Sequence, residues 1–460
     1  METARKLLDE NKPTEALERL KTILPSSEAW RVHELIGAAF HDLCDAEGAA
    51  QAYFNAACTD KYLRGQRAHF SNYLFALHYL PQLDAPALIQ ELAVYKSLYR
   101  DVEPLPPIER KPADKISVAF ISPNFCDSSA ARFYEALLTD YNREKFTVTA
   151  WNLSAEEDAF TKKFRRNVDN YFKLAAENLM EAAIKIRDAG ADILIDLGGH
   201  TEGGTTLQIA AYRPARIQMT GIGYFDSTGA DFIDYFIGDE FLTAQDASFT
   251  EKIFPLANAF AFRPNDKMIR ARQARRPFPH KNFTFGSLNN FMKLSDDYLR
   301  AVKKILDAVP SAQIIFRDTT PLKSRQDALA ERLKAFGIER AEIRRGSDNF
   351  FTDYSAVDLI LDTFPYPGGM MTALALYMGV PVLNLRGDLA FTRTGADILR
   401  IADLDELIVT DADTYASKAV DLAEHRAHLA ALTGAITIDK LVDTKRFVED
   451  FYGRLEATIR

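Results

Sequence analysis

"VDLILDTFPYPGGMMTALALYMGVPVLNLRG", residues 357 to 387, decides how the chain folds. An apolar run of strand length breaks at Pro-Tyr-Pro-Gly-Gly, continues with helix-forming residues and closes on a second strand-like run. Strand, turn, helix and strand in this order make a βαβ unit. Gly368 and Gly369 lack the Cβ that would hold backbone amides away from an anion, so the turn after Asp362 and Thr363 suits a diphosphate. A plain tight turn is the other reading of the same glycines. Met370 and Met371 follow, and they bring neither donor nor charge.

The same alternation extends in both directions. Toward the N-terminus, "ISVAFIS", "FTVTAWNL", "ADILIDL", "IQMTGIG" and "YFIGD" read as buried parallel strands separated by helical stretches. After the basic, proline-containing "FRPNDKMIRARQARRPFPHK" (262–281) a second series runs "NFTFGSL", "AQIIFRD", "AEIRRG", "VDLILDT" and "PVLNLRG". Two Rossmann-like domains are expected, at 112–270 and 280–438, facing each other in the α/β GT-B manner. The last helical stretch, 439–460, is expected to pack across the two halves.

Residues 1–105 read as helices alone. Ala16, Leu17, Leu20 and Leu24 recur at helical spacing, as do Ala50, Phe54 and Cys58 at an offset of 34 residues (50 − 16). That is the tetratricopeptide period, so a TPR-like domain is expected; a generic amphipathic hairpin gives the same pattern. "RDVEPLPPIERKPADK" (100–115), with four prolines, marks the boundary.

Composition narrows the function. With 460 residues, 47% of them hydrophobic, the chain supports two or three domains. Its formal charge of −9 and the lack of a basic stripe interleaved with aromatics point away from nucleic acid and anionic membranes. Three cysteines without a CxxC pair argue against a disulfide framework and a zinc site. No apolar window of membrane-spanning length occurs, and a cytoplasmic location is expected.

"VAFISPNF", "ILIDLGGHT", "RPARIQMTGIGYFDSTGADFIDYFIGD", "LILDTFPYPGG" and "LYMGVPVLNLRGD...TRTGADIL", in this order, resemble the catalytic region of the O-GlcNAc transferase and SPINDLY family. The helical "FSNYLFALHYLPQL" (70–83) is similar to the segment that joins that family's repeats to its catalytic half. The resemblance covers about residues 10 to 400. It implies an inverting, metal-independent transfer of a sugar from a nucleotide sugar, such as UDP-GlcNAc or another nucleoside-diphosphate sugar, to Ser or Thr of a protein. The acceptor protein or peptide would lie on the helical domain.

The resemblance also suggests roles. Lys293 matches the lysine that neutralises the leaving diphosphate; a solvated lysine at a helix start is the plainer alternative. Gly368, Gly369 and Thr372 belong to the diphosphate turn, and Asn290 stands at a polar nucleotide contact. Arg393 falls near the same cleft, unless it caps the next helix or pairs with Asp388. His200, the one histidine at a strand end, and Asp127 are candidates for handling the acceptor proton; an imidazole ordering its loop explains His200 equally well. Asp403 with Asp405, and Asp411 with Asp413, have DxD spacing, but capping and solvation explain them better than a metal.

The departures cluster. Ser128 and Phe350 replace histidines of the family pattern, Met370 and Met371 replace hydroxyl residues, and Leu374 replaces an aspartate that holds the ribose. Losing three charge-assisted hydrogen bonds removes roughly 4.5–9 kcal/mol. Two functions therefore stand side by side. One is a protein glycosyltransferase with an altered donor site. The other is a catalytically inactive homologue that binds proteins, for example as the accessory partner of an active paralogous glycosyltransferase.

Overall fold

The computed structural model describes residues 1–460 apart from 24–27, 108–114, 155–156, 176, 245, 276–281, 346–350 and 460. The chain divides into two compact units, both discontinuous in sequence.

One unit gathers Asp60–Phe75, Asp84–Arg263 and Val442–Arg460. Its seven parallel strands are β1 (Ile116–Ser122), β2 (Phe146–Asn152), β3 (Asn170–Lys173), β4 (Ile193–Asp196), β5 (Ile217–Gly221), β6 (Tyr235–Asp239) and β7 (Lys252–Leu256). They pair in the order β3-β2-β1-β4-β5-β6-β7. Val118 lies opposite Val148 on one side and Ile193 on the other. β1 is apolar almost throughout because a central strand covered on both faces has no solvent side. The Thr444–Ile459 helix closes this unit, burying Phe447, Val448, Phe451, Tyr452 and Leu455 at helical spacing. Phe451 packs between Phe120 and Phe254, and the Tyr452 hydroxyl donates to the Leu137 carbonyl at 2.7 Å.

The second unit gathers Met1–Thr59, Ala76–Leu83 and Pro264–Leu441. Its strands are β8 (Thr284–Ser287), β9 (Gln313–Arg317), β10 (Ala341–Arg344), β11 (Leu359–Leu361), β12 (Val382–Leu385) and β13 (Ile408–Val409), ordered β10-β9-β8-β11-β12-β13 and parallel throughout. Both sheets thus have the doubly wound order, with strand order reversing between β1 and β4 and between β8 and β11. The fold is the expected α/β GT-B class with added N-terminal helices.

Those helices include α1 (Glu2–Asp9), α2 (Pro13–Ile23), α3 (Ala29–Asp42) and α4 (Ala46–Thr59). An offset of 34 residues superposes α2 on α4 in sequence, so the periodicity marks equivalent helices. The packed face of α4 differs from the expected one. Ala49, Ala50, Ala52, Ala56 and Ala57 are buried while Cys58 is exposed, because small side chains let α3 and α4 approach closely. Gly37 makes room for Tyr53, whose ring lies 2.5 Å from where a Cβ would stand. The helical stretch read as 1–105 contributes to both units, and within the second its residues 76–83 bring His78 and Tyr79 against Tyr366.

Phe451 is fully buried, so Phe451→Ala should cost about 3–5 kcal/mol through lost burial and a residual cavity. Denaturant unfolding checks this; a loss below about 1 kcal/mol would mean that the helix contributes little to its unit.

Candidate functional site

In open α/β sheets ligands bind outside the carboxyl ends of the strands, at the point where strand order reverses. In the second unit those strands are β8 and β11. Asn289 to Lys293 follow β8, and Asp362 to Gly369 follow β11, so the two segments meet there.

Asp362 organises the meeting. Its carboxylate is buried and accepts four hydrogen bonds: from the amides of Thr363 (2.9 Å) and Gly368 (2.8 Å), the Thr372 hydroxyl (2.9 Å) and Asn384 Nδ2 (3.0 Å). Four donors fill the acceptor sites of an ionised carboxylate. Burial raises its pKa, opposed by the bonds from Gly368, Asn384 and Thr372 and by the charge of Lys293. Gly368 and Gly395 are glycines for a local reason. A Cβ at Gly368 would stand 2.4 Å from Thr372 Oγ1, and one at Gly395 would stand 2.6 Å from the Asp362 carboxylate. The Asp362 carbonyl accepts from the Tyr415 hydroxyl at 2.8 Å, which fixes the strand end from its other side.

Lys293 sits in a three-residue 3-10 turn, Phe291–Lys293. Its Nζ donates to the Pro367 carbonyl at 2.7 Å and lies 3.8 Å from the centre of the Tyr366 ring. Desolvation lowers its pKa to about 8, and Asp362 works against that shift. The ammonium is therefore mostly charged at neutral pH, and it borders the turn that contains Gly368 and Gly369. Tyr366 is itself packed by His78, Tyr79 and Phe391. The expectation of a merely solvated lysine does not fit this geometry.

Other expected contacts are committed elsewhere. Thr372 is buried and spends its hydroxyl on Asp362. Asn290 Oδ1 accepts from the Met292 amide (3.0 Å) and from Arg325 Nη2 (2.5 Å). Arg393 is buried with Nη2 donating to the Asp388 carbonyl at 2.6 Å, so it ties down its own loop. The Met370–Tyr377 helix has no side-chain cap and is apolar nearly all round, with Met370 and Leu374 in the core. Only Met371 in it stays partly exposed. Met371 lines a crevice with Tyr354, Leu288, Asn289 and Asp362 that holds about one water molecule. Phe350 lies outside the described residues.

The first unit repeats the device after β4. Buried Asp196 accepts from the amides of Gly198 (2.8 Å) and Gly199 (2.9 Å) and from the Thr220 hydroxyl (3.0 Å). His200 follows and is fully buried. Its Nε2 donates to the Thr228 carbonyl at 3.0 Å, and its Nδ1 lies 3.0 Å from the Ser71 hydroxyl oxygen. Tyr95 and Tyr224 pack edge-on against it. This is the loop-ordering arrangement. Asp127, after β1, is exposed and pairs with Arg132, while Ser128 Oγ accepts from the Ala131 amide at 3.2 Å, at the start of the Ala131–Thr139 helix. Of the DxD residues, Asp411 caps the Ala412–Glu424 helix and Asp403 pairs with Lys440 at 2.7 Å. Among the described residues no three His, Cys, Asp or Glu side chains converge as metal ligands.

In the sequence Asp362 reads only as a strand end, and Asp196, Arg325 and Tyr366 do not stand out as site residues. The available signal was an acid closing an apolar central strand just before a glycine pair, in "LIDLGG" and "LILDTFPYPGG".

Residues 103–275 match the family model described as glycosyl transferase family 41. Over 338 residues the chain is 30% identical to a protein of Arabidopsis thaliana named probable UDP-N-acetylglucosamine–peptide N-acetylglucosaminyltransferase SPINDLY, covering 70% of this chain and 36% of that one. A second Arabidopsis protein of the same description, SEC, is 26% identical over 75% of this chain and 37% of its own length. The chain thus spans little more than a third of the curated relatives it matches. In fold it is similar to a lysine-to-methionine mutant of the Thermobaculum terrenum O-GlcNAc transferase, with a TM-score of 0.87 at 24% identity over 98% of this chain and 87% of that one. Kinship in sequence across most of the chain, in agreement with its fold, leads to one conclusion: the chain belongs to the O-GlcNAc transferase and SPINDLY family.

Proposed function

We propose that this chain is a glycosyltransferase that moves a sugar from a nucleoside-diphosphate sugar to Ser or Thr of a protein, with inversion and without a metal. The observation that carries the reading is the Lys293 ammonium, held beside the Gly368–Gly369 turn at the reversal point of its sheet. As the bond to the sugar breaks, negative charge grows on the departing diphosphate. A fixed cation beside it lowers the barrier because the interaction is stronger in the transition state than in the bound substrate. The first amides of the Met370–Tyr377 helix add donors for the same charge. With Thr372 committed to Asp362 and methionines in the turn, the donor would be held mainly by Lys293, by backbone amides and by apolar contact with Met371. His200 keeps a structural role in this reading. The acceptor protein would lie along the N-terminal helices.

A second reading, a catalytically inactive homologue that serves as a protein-binding or accessory subunit, draws on the same helix. Its burial nearly all round and the one-water crevice beside it are what a packed core requires.

A thermal-shift panel of UDP-, GDP-, dTDP- and CMP-sugars, with and without magnesium, separates the two. One nucleotide sugar at 100 times its Kd should stabilise the protein by about 2.7 kcal/mol, and Lys293→Ala should abolish both that shift and transfer. A flat response to the whole panel supports the inactive homologue.

The lysine also carries a sign that can be tested. A lysine whose folded-state pKa lies below the ordinary 10.5 weakens the fold most where it is charged in both states, below about pH 8. That cost fades as pH rises through 8 toward 10.5. Lys293→Met should therefore raise the unfolding midpoint at pH 7, with a gain that shrinks between pH 8 and 10. A lower midpoint at pH 7 would mean that the Pro367 and Tyr366 contacts outweigh the desolvation.

A further inference from the structure

The turns of the N-terminal helices reach the Lys323–Ala335 helix of the same unit at two points. Asn11, between α1 and α2, and Cys44, between α3 and α4, both have left-handed backbone, each with φ of 57°. Ser324 Oγ bonds Asn11 Oδ1 at 2.6 Å and the Asp42 carbonyl at 3.0 Å. Arg325 Nε points at Cys44 Sγ at 3.2 Å. Two consecutive residues of one helix thus touch two interhelical turns, those of α1–α2 and α3–α4.

Arg325 also faces the other way. Its side chain is buried, with Nη1 on Thr320 Oγ1 (2.9 Å), Nε 3.3 Å from the buried Asp318 carboxylate, and Nη2 on Asn290 Oδ1 (2.5 Å). Asn290 and Asp318 in turn hold the 3-10 turn that carries Lys293: Asn290 Oδ1 accepts from the Met292 amide, and Asp318 Oδ1 accepts from the Phe291 amide at 3.2 Å. One guanidinium therefore touches both the interhelical turn and the segment whose next residues aim the ammonium.

We propose that Arg325 is a positioning residue that couples the seating of the N-terminal helical hairpins to the orientation of Lys293. A lysine at this position would keep a charge beside Asp318 but could not present a planar fork to Cys44, Thr320 and Asn290 together. Seen from the site, the helices that would carry an acceptor protein and the cation that would meet the leaving group are then set by one shared contact. This rests on the role given to Lys293 above, yet its geometric half can be measured without any turnover.

The test uses NMR of the full chain with lysine labelled at Cε, in which the Lys293 signal is assigned by its loss in Lys293→Arg. Lying over the Tyr366 ring, that signal should be shifted upfield by the ring current. In Arg325→Lys the shift should collapse toward that of solvated lysines. In Ser324→Ala, which loosens only the helical side, it should move part of the way. Where transfer is measurable, Arg325→Lys should lower kcat about tenfold, equivalent to about 1.4 kcal/mol, with KM for the nucleotide sugar changed less than about threefold, equivalent to about 0.65 kcal/mol. An unmoved Lys293 signal in both folded variants overturns the proposal. A moved signal in a protein without transfer upholds the coupling and removes the catalytic reading instead.

Discussion

The carboxylate of Asp362 is the constraint on which the second unit's site depends. It stands at the end of a central strand and draws in the turn through Gly368, the following helix through Thr372 and the neighbouring strand through Asn384. A buried carboxylate left with fewer partners would be costly, so each of these donors is committed to it. Donors used inside the fold are unavailable to a ligand. In the proposed function the donor would therefore rest on Lys293 and on uncapped helix amides more than on side-chain hydroxyls.

The first unit uses the same construction with another outcome. Asp196 closes β4 and gathers Gly198, Gly199 and Thr220, after which His200 turns inward and is sealed by Tyr95 and Tyr224. In the second unit the turn after Asp362 is met by Lys293 from the neighbouring strand end, that of β8, which keeps a desolvated but charged group there. The two sites therefore differ in what they present: one holds a buried ring whose nitrogens are both engaged, the other a cation with a depressed pKa.

Much of the fold was legible because its signals are local. Apolar runs such as "ISVAFIS" and "VDLILDT" read as central parallel strands, and the 34-residue offset aligned α2 with α4. The packed face of α4 was not legible, since alanines carry little hydrophobic signal and the close approach of α3 depends on Gly37 and Tyr53 meeting. In the site, Lys293 and the glycine turn could be placed from motif order. The engagement of Thr372 and Asn290 could not, because their hydrogen-bond partners Asp362 and Arg325 lie 10 and 35 residues away. A polar residue in a motif shows that a donor exists and leaves open which acceptor takes it.

The most direct measurement concerns the proton on Lys293. An anionic diphosphate beside an ammonium whose pKa is about 8 favours the charged form, so binding near pH 8.5 should draw a proton from solution. Calorimetry of the nucleotide sugar or its nucleotide product in two buffers of different ionisation enthalpy reads this as a difference in heat. The account predicts uptake of a sizeable fraction of a proton at pH 8.5, little at pH 6.5, and none in Lys293→Met. Binding without proton uptake at pH 8.5 would contradict it, because the diphosphate would then rest on groups other than Lys293.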